Sequence, residues 1–268
     1  MRSRCSAAVL GLAAMTAGPL AYADDDGVMT TDRPDFSESS EVVGKGHFQI
    51  ETGPQWDKSH DGGLKATLAT TPTLLRLGIS DTWELRVETD GYADLRVRDD
   101  ATGATTRSHG FSDTAFGVKW HAQDGDDDDD KPSIAWLLHL DADTGSPAFR
   151  GRGVRPSLRM VAEWELPHGY SFGVMPGVFV DTNADGHRYT AGLLALALEK
   201  DWTRAFHGFV EFAAQQVASA ANGGSILTLD VGASYLVTNT FQIDASVYRG
   251  LNRYSPDWVF ATGVSIKF

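Results

Sequence analysis

The residues with chemical potential in this chain alternate with apolar ones. In TWELRVETD, Glu84, Arg86 and Glu88 take every second position, and Trp83, Leu85, Val87 and Thr89 fill the places between. The same spacing exposes Glu51, Arg76, Lys119, His139, Asp141, Arg159, Glu163, Glu165, Glu211, Asp230 and Asp244 on one set of positions. Carboxylates and cations of mixed sign on adjacent strands form ion-pair ladders, and Arg76 sits opposite or diagonal to Glu84 across a Ser-Asp turn. Met175, Phe179, Phe209 and Tyr248 share that set and could offer rings and a thioether to an aromatic solute, or simply fill space. Other chemistries are thinly represented. Asp181, Asn183 and Asp185 have the spacing of a calcium loop, but Gly192 stands where the bidentate Glu belongs, so a plain loop is expected. G-x-S-x-G, H-E-x-x-H and phosphate-loop patterns are lacking, and a hydrolase would need a Ser and a His brought together in space, Ser112 and His109 for example. No cofactor and no metal is called for, and without a basic stripe nucleic-acid binding is set aside.

Strict alternation requires β-strands with one greasy face. It recurs in about twelve segments, from GHFQIETGPQW through TLLRLGI, TAFGVKWHA and SIAWLLHLDA to WVFATGVSIKF, where Trp258, Phe260, Thr262, Val264, Ile266 and Phe268 share a side. The connections alternate between short turns such as SD, PHG and VTN and longer polar loops near 57–66, 90–111, 142–155, 181–188, 215–225 and 250–257. The acidic run at 124–130 breaks this pattern by lengthening one of the short turns. Short turns on one side, long loops on the other and an even strand count describe an all-β antiparallel transmembrane barrel with periplasmic turns and extracellular loops. In hydrocarbon every backbone N–H and C=O must be paired, so the last strand has to close on the first. From Trp258 to Phe268 is about 33 Å of strand, or about 25 Å of height at a tilt near 40°, which matches the apolar band. In such a barrel the greasy set faces lipid and the charged set faces the lumen.

The chain has 268 residues, a net charge of −13 and 42% hydrophobic residues. Residues 1–23 read as a cleaved signal peptide, with Arg2 and Arg4, an apolar stretch and a cut after Ala23. The single cysteine, Cys5, goes with it, which removes disulfide scaffolds and thiol enzymes together. Residues 24–45 form an acidic segment expected at the periplasmic mouth or inside the lumen as a plug, and 46–268 form the barrel.

The start of the mature chain, MTTDRPDFSESSEVVGKGHFQIETG, resembles the family labelled "MetA-pathway of phenol degradation", through Thr31, Asp32, Arg33, Pro34, Asp35, Phe36, Glu41, Val42, Val43, Gly46, Gln49 and Glu51. PTLLRLGISDTWELRV, FSDTAFGVKW and QIDASVYRGLNRYSPDW extend the likeness. Members are regarded as outer-membrane transporters, so the resemblance implies a non-enzymatic channel for small aromatic or hydrophobic solutes. A lipid hydrolase and a structural barrel with surface-contact loops are the alternatives. Phe268 also resembles the terminal signature by which the barrel assembly machinery takes up its clients. Outer-membrane lipid and lipopolysaccharide are the other expected partners.

Overall fold

The computed structural model describes residues 27–126, 130–183 and 185–268. The leader and its cleavage point lie outside them. Sixteen hydrogen-bonded segments make one antiparallel sheet. The first eight join pairwise into four staves: β1 (Phe48–Thr52) with β2 (Gln55–Asp61), β3 (Leu64–Thr70) with β4 (Thr73–Gly78), β5 (Trp83–Thr89) with β6 (Tyr92–Asp99), and β7 (Thr105–Phe111) with β8 (Thr114–Gln123). Eight unbroken staves follow: β9 (Ser133–Ala142), β10 (Arg155–Leu166), β11 (Tyr170–Thr182), β12 (Arg188–Asp201), β13 (Phe206–Val217), β14 (Ile226–Thr238), β15 (Phe241–Gly250) and β16 (Trp258–Lys267). Each stave pairs with the next, and β16 returns to β1 with Gln49 opposite Lys267 and Thr52 opposite Val264, which closes a twelve-stave barrel.

The four breaks lie on neighbouring staves, and each is bonded across. Gly53 N–H donates to the Pro72 carbonyl at 3.3 Å, Thr71 N–H to Asp90 at 2.9 Å and Ser112 N–H to Gly91 at 2.9 Å. Pro54 and Pro72 cannot donate to a ladder, so the wall can bend there without opening. Gly53 is required at this seam, because a Cβ on it would come within 1.9 Å of the Thr262 carbonyl.

Two stretches expected as loops, 57–66 and 90–111, are strands instead: β2 and β3 meet at a two-residue turn, and β6 and β7 form a hairpin. The stave from Trp83 to Asp99 is about 40 Å tall after tilt, well above the roughly 25 Å apolar band. Its upper part stands in water, where neither face needs apolar residues. The alternation that marks a membrane strand is accordingly missing, and most of β7 is exposed.

Within the band the two faces separate as the alternation requires. Leu85, Phe116, Leu138, Val178, Val231 and Ile243 are exposed to the lipid side. Arg76, Glu84, Lys119, Glu211 and Asp230 are fully buried on the other. Aromatic belts border the band. Trp83 stacks on Trp120 at 5.7 Å and Phe48 on Phe268 at 6.3 Å near the periplasmic turns, while toward the other side Trp258 stacks on Phe260 at 6.2 Å and Tyr92 meets Phe111 edge-on at 5.5 Å.

Candidate functional site

Residues 30–43 run inside the ring of staves and touch it on every side. The lumen wall has three chemical sectors, and the segment answers each with a different group. On β4, β5 and β8 the wall is cationic. Arg76 holds Glu84 with two bonds of 2.9 and 3.0 Å and reaches Glu51 at 3.0 Å, while Arg86 meets Glu84 at 2.9 Å. Asp32 of the segment enters this cluster and accepts from Lys119 at 2.9 Å and from Arg86 at 2.6 Å. Glu38 meets Arg86 at 2.7 Å and also pairs with Arg159 of β10. The carboxyl of Asp32 is opposed by its own burial, yet Arg76, Lys119 and Arg86 hold it far below the usual carboxylate value.

The second sector is apolar. Leu137, Val161, Met175, Leu193 and Ala195 on β9 to β12 form a buried patch, and Phe36 of the segment packs on it beside Phe179. The third sector, on β13 to β15, is acidic. Arg33 binds Asp244 through Nε at 3.3 Å and Nη2 at 3.1 Å, and Glu211 accepts from the backbone N–H groups of Phe36 and Ser37 at 2.8 and 2.9 Å. Tyr248 donates to the Pro34 carbonyl at 2.6 Å. Further along, Ser40 N–H donates to Glu163 at 2.7 Å and Val43 N–H to Glu84 at 3.0 Å. The segment therefore uses side-chain carboxylates where the wall is cationic and backbone N–H groups or Arg33 where it is acidic. Gly263 belongs to the same fit, since a Cβ there would lie 2.4 Å from Arg33 Nε.

Every charged candidate from the sequence lies on the lumen side. Arg76, Glu84, Arg86, Lys119, Arg159, Glu163, Glu211 and Asp244 each bond the segment directly. Asp230 is buried, accepts from Thr228 at 3.2 Å and leaves its Oδ1 without a partner. The four apolar and aromatic candidates do not come together. Met175 and Phe179 belong to the patch under Phe36, Tyr248 holds Pro34, and Phe209 lines a separate cavity. Leu137, Val161 and Leu193 were not singled out, although their parity against exposed Trp136 and Leu138 carries the signal.

Three cavities flank the segment. One of about 380 Å³ lies on the periplasmic side, bordered by Ser133, Glu163, Glu199 and Phe209. Two others, of about 260 and about 570 Å³, lie on the opposite side and share Asp90. The larger is roofed by the loop between β9 and β10, where Asp113 accepts from Gly145 and Gly151 N–H and pairs with Arg155 at 2.8 Å. Ser112 borders this cavity, whereas His109 stacks on Tyr92 on the outer surface, so the two do not form a hydrolytic pair. At the loop between β11 and β12, Asp181 turns toward Arg155 at 3.5 Å and the Asn183 side-chain oxygen accepts from His187 N–H at 2.9 Å, which closes a turn. A cluster of Glu38, Glu88 and His139 has ligand atoms within 4.8 Å of one another, but Arg86 lies against both carboxylates and supplies the positive charge a cation would bring.

No curated protein matches the sequence. Among solved structures, an outer membrane channel from Pseudomonas putida F1 is similar over 88% of this chain and 100% of its own, with 13% identity and a TM-score of 0.62. The beta domain of the Bordetella autotransporter BrkA is similar over 83% of this chain and 99% of its own, with 14% identity and a TM-score of 0.54. These likenesses bear on the fold, that of an outer-membrane β-barrel. The model of the family described as "Putative MetA-pathway of phenol degradation" matches residues 31–268, and the chain belongs to that family.

Proposed function

We propose that the protein is an outer-membrane channel for the passive passage of small, aromatic or otherwise hydrophobic solutes, with residues 24–45 as its plug. The observation that carries this reading is the way the lumen is filled. A barrel of about eight staves is packed by its own side chains, whereas this one is crossed by a separate strand of chain that leaves cavities on both sides. Such a segment can shift without breaking a barrel ladder. The family description points to aromatic solutes, and the patch of Leu137, Met175 and Leu193 under Phe36 gives them an apolar wall once the segment moves. Export with removal of residues 1–23, delivery through the terminal Phe268 to the barrel assembly machinery, and contact of the outer loops with lipopolysaccharide complete the proposal.

The test is uptake of a fluorescent hydrophobic amine such as N-phenylnaphthylamine by intact cells. Cells making the full chain should take it up faster than cells without it, and deletion of residues 28–43 should speed uptake again and admit polar solutes of equal size. Uptake equal to that of empty cells for both proteins would contradict the channel.

A further inference from the structure

The partition between the periplasmic cavity and the nearer outer cavity is thin, because Arg33, Pro34 and Asp35 border both. Arg33 is engaged by Asp244 and the Pro34 carbonyl by Tyr248. Asp35 is different. Between Thr31 and Phe36 it is the one polar residue whose side chain meets no ion pair or hydrogen bond from another residue among the described residues.

The strand register shows what it faces. Glu211 on β13 is opposite Asp230 on β14, and Asp230 is opposite Tyr248 on β15. Glu211 holds the backbone of Phe36 and Tyr248 holds Pro34. The arch from Pro34 to Phe36 therefore spans Asp230, with Asp35 at its middle. Asp230 is fully buried, and its Oδ1 is unpartnered. The acidity continues into the cavities. Asp57, Asp90 and Asp141 border the outer ones, and Glu163 and Glu199 border the inner one. None of these five has an ion pair among the described residues. On the cationic sector, by contrast, Arg76, Arg86 and Lys119 are each neutralised by carboxylates.

We propose that solutes pass the plug along the acidic staves β12 to β15, over Asp35, and that this route takes cations and neutral molecules and rejects anions, aromatic carboxylates included. The proposal rests on the channel reading and narrows it to neutral aromatics and aromatic amines. Clefts lined by one sign of charge concentrate ions of the opposite sign. The groups around Asp35 are Glu211, Glu199 and Tyr248 from the wall and Asp32 from its own segment, with Asp230 between Glu211 and Tyr248 in the register. Arg33, the one nearby cation, is committed to Asp244. Burial, with Glu211 and Glu199 close by, pushes the Asp35 carboxyl well above the usual carboxylate value. An entering cation can thus take the place of a proton, and the preference should grow as the pH rises.

The test is the reversal potential of the full-length barrel in a planar bilayer under a KCl gradient, followed by benzylamine hydrochloride and sodium benzoate as organic probes. The wild type should favour K⁺ over Cl⁻ by at least roughly fivefold and benzylammonium over benzoate, as a steering field of one sign implies. Asp35→Asn should reduce the ratio and Asp35→Lys should bring it below one, while Asp94→Asn on the outer surface leaves it unchanged. Both Asp35 variants are checked for heat-modifiable gel mobility, so that a misfolded barrel is not scored. Conduction without charge preference, or a preference indifferent to both Asp35 variants, overturns the route alone. A barrel that conducts nothing overturns the route and the channel together.

Discussion

Two aspartates three residues apart illustrate how differently one side chain can act in a lumen. Asp32 is fully committed, with Lys119 at 2.9 Å, Arg86 at 2.6 Å and Arg76 at 3.5 Å. Removing one member of a buried ionic cluster costs about 3–5 kcal/mol, because the remaining charges stay unpaired. In this lumen the cost has an exit, since Arg76, Arg86 and Lys119 regain water if the segment leaves. Asp32→Ala should therefore raise single-channel conductance toward that of the plug deletion, while the barrel keeps its resistance to detergent. Conductance unchanged from wild type would show that the segment is held by other contacts. Asp35 behaves in the opposite way. Its raised value favours the neutral form in the docked state, so its contribution to docking is present at low pH and is lost as the pH rises through that value. The depressed value of Asp32 gives a contribution present above the ordinary carboxylate range and lost only in strong acid. Conductance should therefore increase with pH in the wild type, and the increase should be smaller in Asp35→Asn. An equal increase in the variant would assign the titration to another group.

At the scale of elements, the membrane strands could be read from the sequence and their aqueous extensions could not, for one physical reason. Hydrocarbon on one side and a polar lumen on the other impose alternation, and β5, β15 and β16 show it. Above the band both faces of β2, β3, β6 and β7 meet water, so the sequence there resembles a loop. In β9 and β12 the runs of Leu and Ala obscure the parity, which is why Leu137 and Leu193 were not picked out as lumen residues. The charged lumen set was readable because charge is costly toward lipid. Its division into cationic, apolar and acidic sectors was not, since that follows from which staves are neighbours in the ring. The two faces make a direct prediction. Leu85→Arg, on the exposed set, should cost about 2–4 kcal/mol of folding free energy in lipid vesicles. Gly263→Arg should leave barrel stability nearly unchanged and instead displace Arg33, raising conductance. Equal stability losses at both sites would mean that the faces are misassigned. Phe268 closes the last stave, its N–H donating to the Phe48 carbonyl at 2.8 Å, and its ring lies on Phe48. Its removal should reduce the amount of assembled barrel in the outer membrane far more than any single loop substitution, as quantified by heat-modifiable mobility.

On the scale of the whole molecule, a closed ring carries the stability and a tethered segment carries the gate. Within the apolar band each stave is bonded to two neighbours, so the ring has no edge in lipid; beyond the band β7 bonds β6 alone. The segment is held through side chains and backbone N–H groups, bonds that can be exchanged for water when it moves. The sequence left open whether residues 24–45 would sit at the mouth or in the lumen, because their acidity suits either place. The contacts of Asp32, Arg33, Phe36 and Glu38 with three different sectors make motion of this segment the central claim. Ser40 Oγ lies 2.7 Å from Ser133 Oγ on β9, and no cysteine follows Cys5 in the sequence, so a disulfide between these positions can lock the segment to the wall without competing thiols. The most direct measurement is single-channel conductance of the Ser40→Cys, Ser133→Cys double variant before and after a reductant. Oxidised channels should conduct less than wild type and recover wild-type conductance on reduction; equal, wild-type conductance in both states would contradict a moving plug.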